Sequence, residues 1–325
     1  MDHERAANWV GYRPEIKVID CTIRDGGLMN NHQFDLATVQ AVYRACALGG
    51  IDYMEIGYKN SDQMFSRDEH GPWKFCCEDD LKPVVESCEA SVPLSIMADV
   101  GRCDFDRDLA PRDHSQVQMI RIACYIHQVP AALDMLAHAA DKGFETCVNL
   151  MALSTVAEKE LASALELFAG SPAKAIYVVD SFGSLYGEQV RDYVQLYLRY
   201  ARQAGKDVGL HAHNNQQLAF ANTIEAITQG ANFVDGSLAG LGRGAGNCPT
   251  ELISGFLHNP KYRLRPLLAC IQDHILPLRA HMQWGPDIPY MIAGQLNQHP
   301  REAMKFNASG GSDLVAFYDQ VTSET

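Results

Sequence analysis

Eight short apolar or β-branched runs recur along the chain, each followed by a longer segment of helical periodicity, and this alternation limits the possible folds more than any other feature. The runs are Lys17–Asp25, Tyr53–Asn60, Leu94–Val100, Gln118–Tyr125, Glu145–Ser154, Ala175–Asp180, Val208–Asn214 and Asn232–Ser237. Strands alternating with helices predict a parallel sheet covered by helices, and eight such strands close a (β/α)8 TIM barrel. The segments Leu36–Ala47, Pro130–Ala140 and Gln217–Thr228 carry apolar residues three and four apart, and Gly49-Gly50, Gly143 and Gly230 stand where helices stop. A doubly wound open sheet would have five or six strands and a Gly-x-Gly-x-x-Gly after the first, whereas the first run here ends in Arg24-Asp25-Gly26-Gly27. We therefore expect an α/β TIM barrel over residues 1–257 and a helical C-terminal extension over residues 258–325. In the extension, Lys261–Gln283 and Asp287–Phe306 read as helices broken by prolines, forming a lid, a subunit contact or a partner surface. The 325 residues leave room for this addition to a barrel of about 250.

Charge and composition exclude several function classes. Forty acidic against 27 basic side chains give a net charge of −13, so the chain would repel a nucleic-acid backbone. No stretch reaches the roughly 18 apolar residues of a membrane span, and the polar start Met1-Asp2-His3-Glu4-Arg5 precedes no apolar export segment. We expect a cytoplasmic protein that binds neither nucleic acid nor membrane. Its ten cysteines are scattered, and Cys21, Cys124 and Cys147 lie within apolar runs as small buried hydrophobes. The adjacent Cys76-Cys77 pair lacks metal or redox spacing.

Catalytic groups in a TIM barrel come from the C-terminal ends of the strands and the loops that follow. The first run ends in Asp20-Cys21-Thr22-Ile23-Arg24-Asp25-Gly26, the second offers Glu55, the fourth Arg121, the fifth Asn149, the sixth Asp180 and the seventh His211-Ala212-His213-Asn214-Asn215. Taken singly, Glu55 is an ion-pair partner, Arg121 an interior salt bridge and Asp180 a helix N-cap. His-x-His on a strand puts both imidazoles on one face, roughly 6–7 Å apart, where they can converge on one ion. Two imidazoles with one carboxylate suit a divalent Lewis acid. The run Gly240-Leu241-Gly242-Arg243-Gly244-Ala245-Gly246-Asn247 is a phosphate cradle, a ligand-facing loop at Gly244 and Asn247, or a tight turn. The long segments Ser61–Asp80 and Gly101–Ser115 fall on the same face, where specificity is built.

With these motifs in this order over residues 17 to about 255, the sequence resembles the DRE-TIM metallolyases, and within them the 4-hydroxy-2-oxovalerate aldolase (HMGL-like) branch. That superfamily also holds the 3-hydroxy-3-methylglutaryl-CoA lyases and the Claisen-type 2-isopropylmalate and homocitrate synthases. The resemblance implies a metal held by Asp25, His211 and His213 together with Asn247, with Mn2+ or Mg2+ foremost and Zn2+, Co2+ or Fe2+ as further fits. A 2-oxo acid would chelate that metal, with Arg24 at the oxygen that becomes the enolate and Glu55 orienting the arginine or the metal's water. Arg121, Asn149, Asp180 and Gly244 would contact the substrate. The implied lyase reaction makes or cleaves the C–C bond of a 4-hydroxy-2-oxo acid, giving an aldehyde and a metal-bound pyruvate enolate.

The chain departs from this pattern at Leu28, where the hydroxyoxovalerate aldolases carry an acid–base histidine, and leucine cannot move a proton. His32, Tyr58, His127, Tyr186 and Tyr290 are the replacements within the sequence, of which His32 and Tyr290 lead. The departure points to a different aldehyde, larger or sugar-derived. A second reading, an acyl-CoA lyase or Claisen-type synthase, requires a basic surface near the mouth, for which the long loops offer Arg67, Lys74, Arg102, Arg107 and Arg112. A third, a retired barrel kept as a binding subunit, is opposed by the intact ligand set. The expected partners are a small-molecule 2-oxo acid, an aldehyde and a second copy in a homodimer. An aldehyde dehydrogenase partner follows from the resemblance alone, with no residue to establish it.

Overall fold

The computed structural model describes residues 13–323, so Met1–Arg5, on which the expectation about export rests, lies outside the described residues. All eight apolar runs form strands: β1 (Lys17–Asp20), β2 (Tyr53–Tyr58), β3 (Leu94–Asp99), β4 (Val117–Cys124), β5 (Glu145–Leu150), β6 (Ala175–Asp180), β7 (Asp207–Ala212) and β8 (Phe233–Gly236). They pair in sequence order into a closed parallel barrel, with β8 returning to β1 in the register Lys17 to Phe233 and Asp20 to Gly236.

Between the strands run α1 (Leu36–Gly49), α2 (Glu78–Val85), α3 (Val129–Asp141), α4 (Glu158–Ala169), α5 (Gly187–Ala201) and α6 (Ala219–Gln229), with α7 (Thr250–Phe256) following β8. The expected stops hold: α1 ends at Gly50 and α6 at Gly230, both with positive φ.

Six strands are shorter than the sequence reading, and in three of them the difference bears on the site. β1 ends at Asp20 because its partner β8 ends at Gly236, after which the Thr22 N–H donates to Asp20 Oδ1 (3.1 Å) and residues Thr22–Gly26 wind into one helical turn. Arg24 and Asp25 therefore sit on a turn over the barrel mouth and not on a strand. β5 ends at Leu150, before the left-handed Ala152 and the 3-10 turn Leu153–Thr155. β7 ends at Ala212, and His213 forms an isolated bridge with Asn247 of the glycine-rich loop.

Alternate strand residues point inward. Ile19, Tyr53, Met119, Cys147, Ala175, Tyr177, Val179 and Phe233 form one apolar cluster inside the barrel. The opposite parity, for example Val18, Met54, Ile120, Val148, Ile176 and Val234, joins the core between sheet and helices. One inward step nearer the mouth, the same parity brings Glu55, Arg121, His211 and Asp235 into the interior, each 4% exposed or less.

The extension is helical as expected but more divided. Lys261–Gln283 holds α8 (Leu264–Cys270), a π-turn (Ile271–Ile275) and a 3-10 stretch (Leu276–Ala280); Asp287–Phe306 divides into α9 (Ile288–Gln295) and α10 (Arg301–Ala308). A further helix, α11 (Leu314–Ser323), was not anticipated. Pro277 and Pro289 stand in the first turns of their segments, where a missing N–H costs nothing. Tyr290, Ile292, Ala293, Ala303, Phe317 and Val321 pack around Ala245 of the glycine-rich loop. The loops after β5 and β6 hold the extension through Ser154 Oγ and Ser184 Oγ, which both donate to Asn297 Oδ1 (2.7 and 2.8 Å). No helix among the described residues is long and apolar enough to cross a membrane. All ten cysteines are free.

Candidate active site and metal centre

The helical turn after β1 and the end of β7 bring Asp25, His211 and His213 together. Their ligand atoms lie within 4.8 Å of one another and all three side chains are buried. The imidazole rings are perpendicular with centroids 5.0 Å apart, closer than two residues of one strand, because His213 has already left β7.

Two of the three candidate ligands are oriented by a second group. His211 Nδ1 lies 3.0 Å from Asp235 Oδ2, which leaves Nε2 buried and without a partner. A carboxylate behind a histidine fixes its tautomer and raises its basicity as a ligand. Asp25 Oδ1 accepts from Arg24 Nη1 (2.7 Å), and Oδ2 accepts from Asn247 Nδ2 (2.7 Å) and from the Arg243 backbone N–H (3.2 Å). Gly242 is required here, since a Cβ would run into both Asp25 Oδ2 and Asn247 Nδ2. Burial pushes the Asp25 carboxyl up, but the Arg24 guanidinium beside it holds it well below the usual carboxylate range. Burial also holds His213 well below the usual histidine range, so it is neutral, as a ligand must be. Two imidazole nitrogens, one ionised carboxylate and a buried orphan Nε2 fit a divalent cation. Asn247 Oδ1 is likewise buried and unpartnered beside them.

The ligands are the ends of a buried chain of alternating charge. From Asp25 it runs to Arg24, whose Nε donates to Glu55 Oε2 (2.7 Å); Arg121 Nη1 meets the same oxygen at 3.0 Å, and Arg121 Nη2 donates to Asp235 Oδ2 (2.6 Å), which returns to His211. Arg121 also lies over the Tyr177 ring at 4.3 Å. Glu55 and Arg121 are thus internal positioning groups that do not line the cavity. Asp235 was missed by the sequence reading, although it stands two residues after the inward-facing Phe233 in a run already assigned to a strand.

A cavity of about 90 Å3 opens over the triad. One side is apolar, formed by Leu28, Met97, Ala123 and Met151 with the ring of Tyr58. The other carries Ser181, Phe182, Arg243 and His299, and Asn149 lines the cavity with its Oδ1 unpartnered. Arg243 Nη2 donates to the Ser181 carbonyl (3.0 Å), and Nη1 is 3.3 Å from His299 Nε2. His299 comes from the extension, and burial and the neighbouring Arg243 lower its pKa to about 4.

The acid–base candidates separate. Tyr58 lines the cavity, has no hydrogen-bond partner among the described residues, and is pushed up by burial, so its phenol is protonated. His32 stands behind it, in T-shaped contact at 5.3 Å, buried, with Nδ1 unpartnered. Its left-handed backbone (φ 60) aims the ring over Gly27, where a Cβ would collide with the imidazole. Burial and Lys74 lower its pKa to about 3. Tyr290 packs on Gly244 in the extension cluster, and neither lines this cavity. His127 and Tyr186 are exposed and away from it. The Asp180 carboxylate accepts from the backbone N–H groups of Ser184 (2.9 Å) and Leu185 (3.3 Å), so it caps a loop and does not face the cavity.

Comparison with known proteins agrees with this geometry. Residues 15–269 match the HMGL-like family. The chain is 31% identical over 271 residues to a 4-hydroxy-2-oxovalerate aldolase of Pelotomaculum thermopropionicum, covering 83% of this chain and 78% of that one. It is 28% identical over 316 residues to the enzyme of the same name from Bacillus thuringiensis, covering 92% and 89%. Among solved structures it is similar to the N-terminal domain of an aldolase candidate from Bacteroides vulgatus, with TM-score 0.75, 29% identity and coverage of 90% and 96%. It shares its fold with the HMG-CoA lyase of Brucella melitensis, with TM-score 0.64, 16% identity and coverage of 82% and 99%.

Proposed function

We infer the reaction from one premise: the chain belongs to the HMGL-like family of the DRE-TIM metallolyases, whose members are aldolases and carbon–carbon lyases. Within that family we read it as a divalent-metal-dependent aldolase that makes or cleaves a 4-hydroxy-2-oxo acid through the enolate of pyruvate, with Mn2+ or Mg2+ as the ion. The observation that carries this reading is Arg24 Nη2, a buried guanidinium N–H without a partner, beside the Asp25, His211 and His213 set.

Asp25, His211 and His213 would hold the ion, and Asn247 keeps Asp25 in place. When bound, the ion supplies Lewis-acid charge at the ketone oxygen of the 2-oxo acid. Arg24 cannot swing away, because Glu55 and Asp25 hold two of its nitrogens; the third is a preorganised donor for the oxygen on which negative charge develops. In the condensation direction the Tyr58 phenol, the lining hydroxyl with no other partner, would give its proton to the aldehyde oxygen that becomes the 4-hydroxyl and regain one from the methyl group of the next pyruvate, with His32 fixing its ring from behind. Leu28 makes part of the apolar side, which excludes water from a reactive enolate. The free cysteines support a reducing cytoplasm as the setting.

No observation favours the acyl-CoA reading. Arg67 lies over Phe75, Lys74 is buried over Tyr58 and Phe65, Arg102 pairs with Asp99, Arg107 with Asp62 and Asp108, and Arg112 with Gln118 and the Ser115 carbonyl.

The test is pyruvate in D2O followed by proton NMR, with and without Mg2+, beside an Asp25→Ala control. Methyl exchange that needs both the ion and the intact triad is the expected result. No exchange from protein whose metal content shows a filled site would overturn the reading.

A further inference from the structure

The arginines of the site differ in one respect. Arg24 and Arg121 are each paired with two carboxylates, whereas the Arg243 guanidinium has no carboxylate partner among the described residues. Its Nε is buried and bonded to nothing. A guanidinium inside a pocket with only a carbonyl and an imidazole for company is an incomplete anion site, since a fork of donors matches a carboxylate or phosphate.

The environment adds to this. The charged side chains lining the cavity are Arg24, Arg243 and Asp25, so cationic groups outnumber the anionic one before any metal binds. His299 is neutral, and the Arg301 backbone N–H is shared between the His299 carbonyl (2.8 Å) and its Nδ1 (3.1 Å). Its Nε2 lies 3.3 Å from Arg243 Nη1, so a neutral imidazole and one carbonyl are the side-on company of a guanidinium whose Nε has no partner. An anion seated beside them would supply the missing acceptor and counter-charge.

The position settles which half of the substrate is served. The Arg243 backbone is bonded to Asp25, but its side chain leads away from the triad to Ser181 and to His299 of the extension. The 2-oxo acid end is already met by Arg24 and the triad. Resting on the aldolase reading above, we propose that Arg243 and His299 form an anion-binding subsite for the far end of the substrate, so that the aldehyde partner carries a carboxylate or phosphate.

The test compares binding and turnover in the Mg2+-loaded protein. By calorimetry, 2-oxoadipate, with a second distal carboxylate, is expected to bind at least about tenfold more tightly than 2-oxobutyrate, which has the same reactive end and an uncharged tail. Arg243→Gln should bring that ratio close to one, and His299→Ala, outside the barrel, should reduce it several-fold. In condensation with pyruvate, succinic semialdehyde and glyceraldehyde 3-phosphate should both exceed propanal in kcat/KM, and their order separates a carboxylate site from a phosphate site. Equal affinity for the two 2-oxo acids, or an Arg243→Gln variant that weakens both by the same factor, would overturn the subsite. If pyruvate fails to exchange in D2O at all, the aldolase reading falls and the subsite with it; exchange combined with indifference to distal charge sinks the subsite alone.

Discussion

Two layers of the same barrel interior are filled in opposite ways. The lower layer, with Ile19, Tyr53, Met119, Cys147, Ala175, Tyr177 and Phe233, is apolar, and each large side chain there contributes about 1.5–3 kcal/mol through burial. One inward position further along the same strands, Glu55, Arg121, His211 and Asp235 fill the equivalent space with charge. Desolvating these groups costs several kcal/mol each, and an apolar filling of similar volume would hold the fold as well or better. The ionic layer is therefore explained by what lies at its two ends, since both Asp25 and His211 are metal-ligand candidates. The lower layer keeps the barrel closed, and the upper one keeps the ligands aimed.

The largest expected effect lies at the ends of the ionic chain. Asp25→Ala or His211→Ala should leave a folded barrel whose metal content, by mass spectrometry, falls towards zero and whose pyruvate exchange drops at least about 1,000-fold. Retained metal in either variant would break the assignment of the ends.

Next come matched substitutions in the two layers. Arg121→Ala leaves Glu55 and Asp235 buried without their shared counter-charge, at a cost of about 3–5 kcal/mol of stability. Met119→Ala, in the lower layer, should cost about 2–5 kcal/mol by cavity formation, yet keep one metal ion per folded molecule. Urea unfolding and metal titration of both variants separate the layers, and loss of metal affinity in folded Met119→Ala would show that they are not independent.

Asp235→Asn keeps volume but removes the carboxylate behind His211. Metal affinity should fall about 10- to 100-fold in a titration of the folded protein.

The smallest effect lies outside the barrel wall, at Asp20. Burial raises its pKa to about 6, against an unfolded value of 3.8, so between about pH 4 and 6 the folded state binds the proton more tightly. Its contribution to stability is present at the acid side of that window and is lost as pH rises through it. Asp20→Asn should flatten that part of the stability profile.

How much of this was legible in the sequence follows the same division. The strands were readable because period-two and helical segments alternate without interruption, and the ligand trio was readable because its residue types stand at strand ends. The end of β1 was not, because Asp20 is its last residue only by virtue of where β8 stops. Asp235 sits in a four-residue strand, and its inward parity is defined only once the pairing of Ile19 with Asp235 is known. Arg243 was hidden in a glycine-rich run whose backbone drew the attention, and His299 acquires meaning only when the extension docks. His32 reaches Tyr58 through a left-handed loop that no periodicity announces.

The origin of His299 in the extension has a consequence for biosynthesis. All eight strands and the three candidate metal-ligand residues are translated by Gly236, while His299 follows about sixty residues later. At about 5–20 residues per second, several seconds separate the two events on the ribosome. The nascent chain thus carries the three candidate ligand groups before it carries His299, which lines the cavity over them.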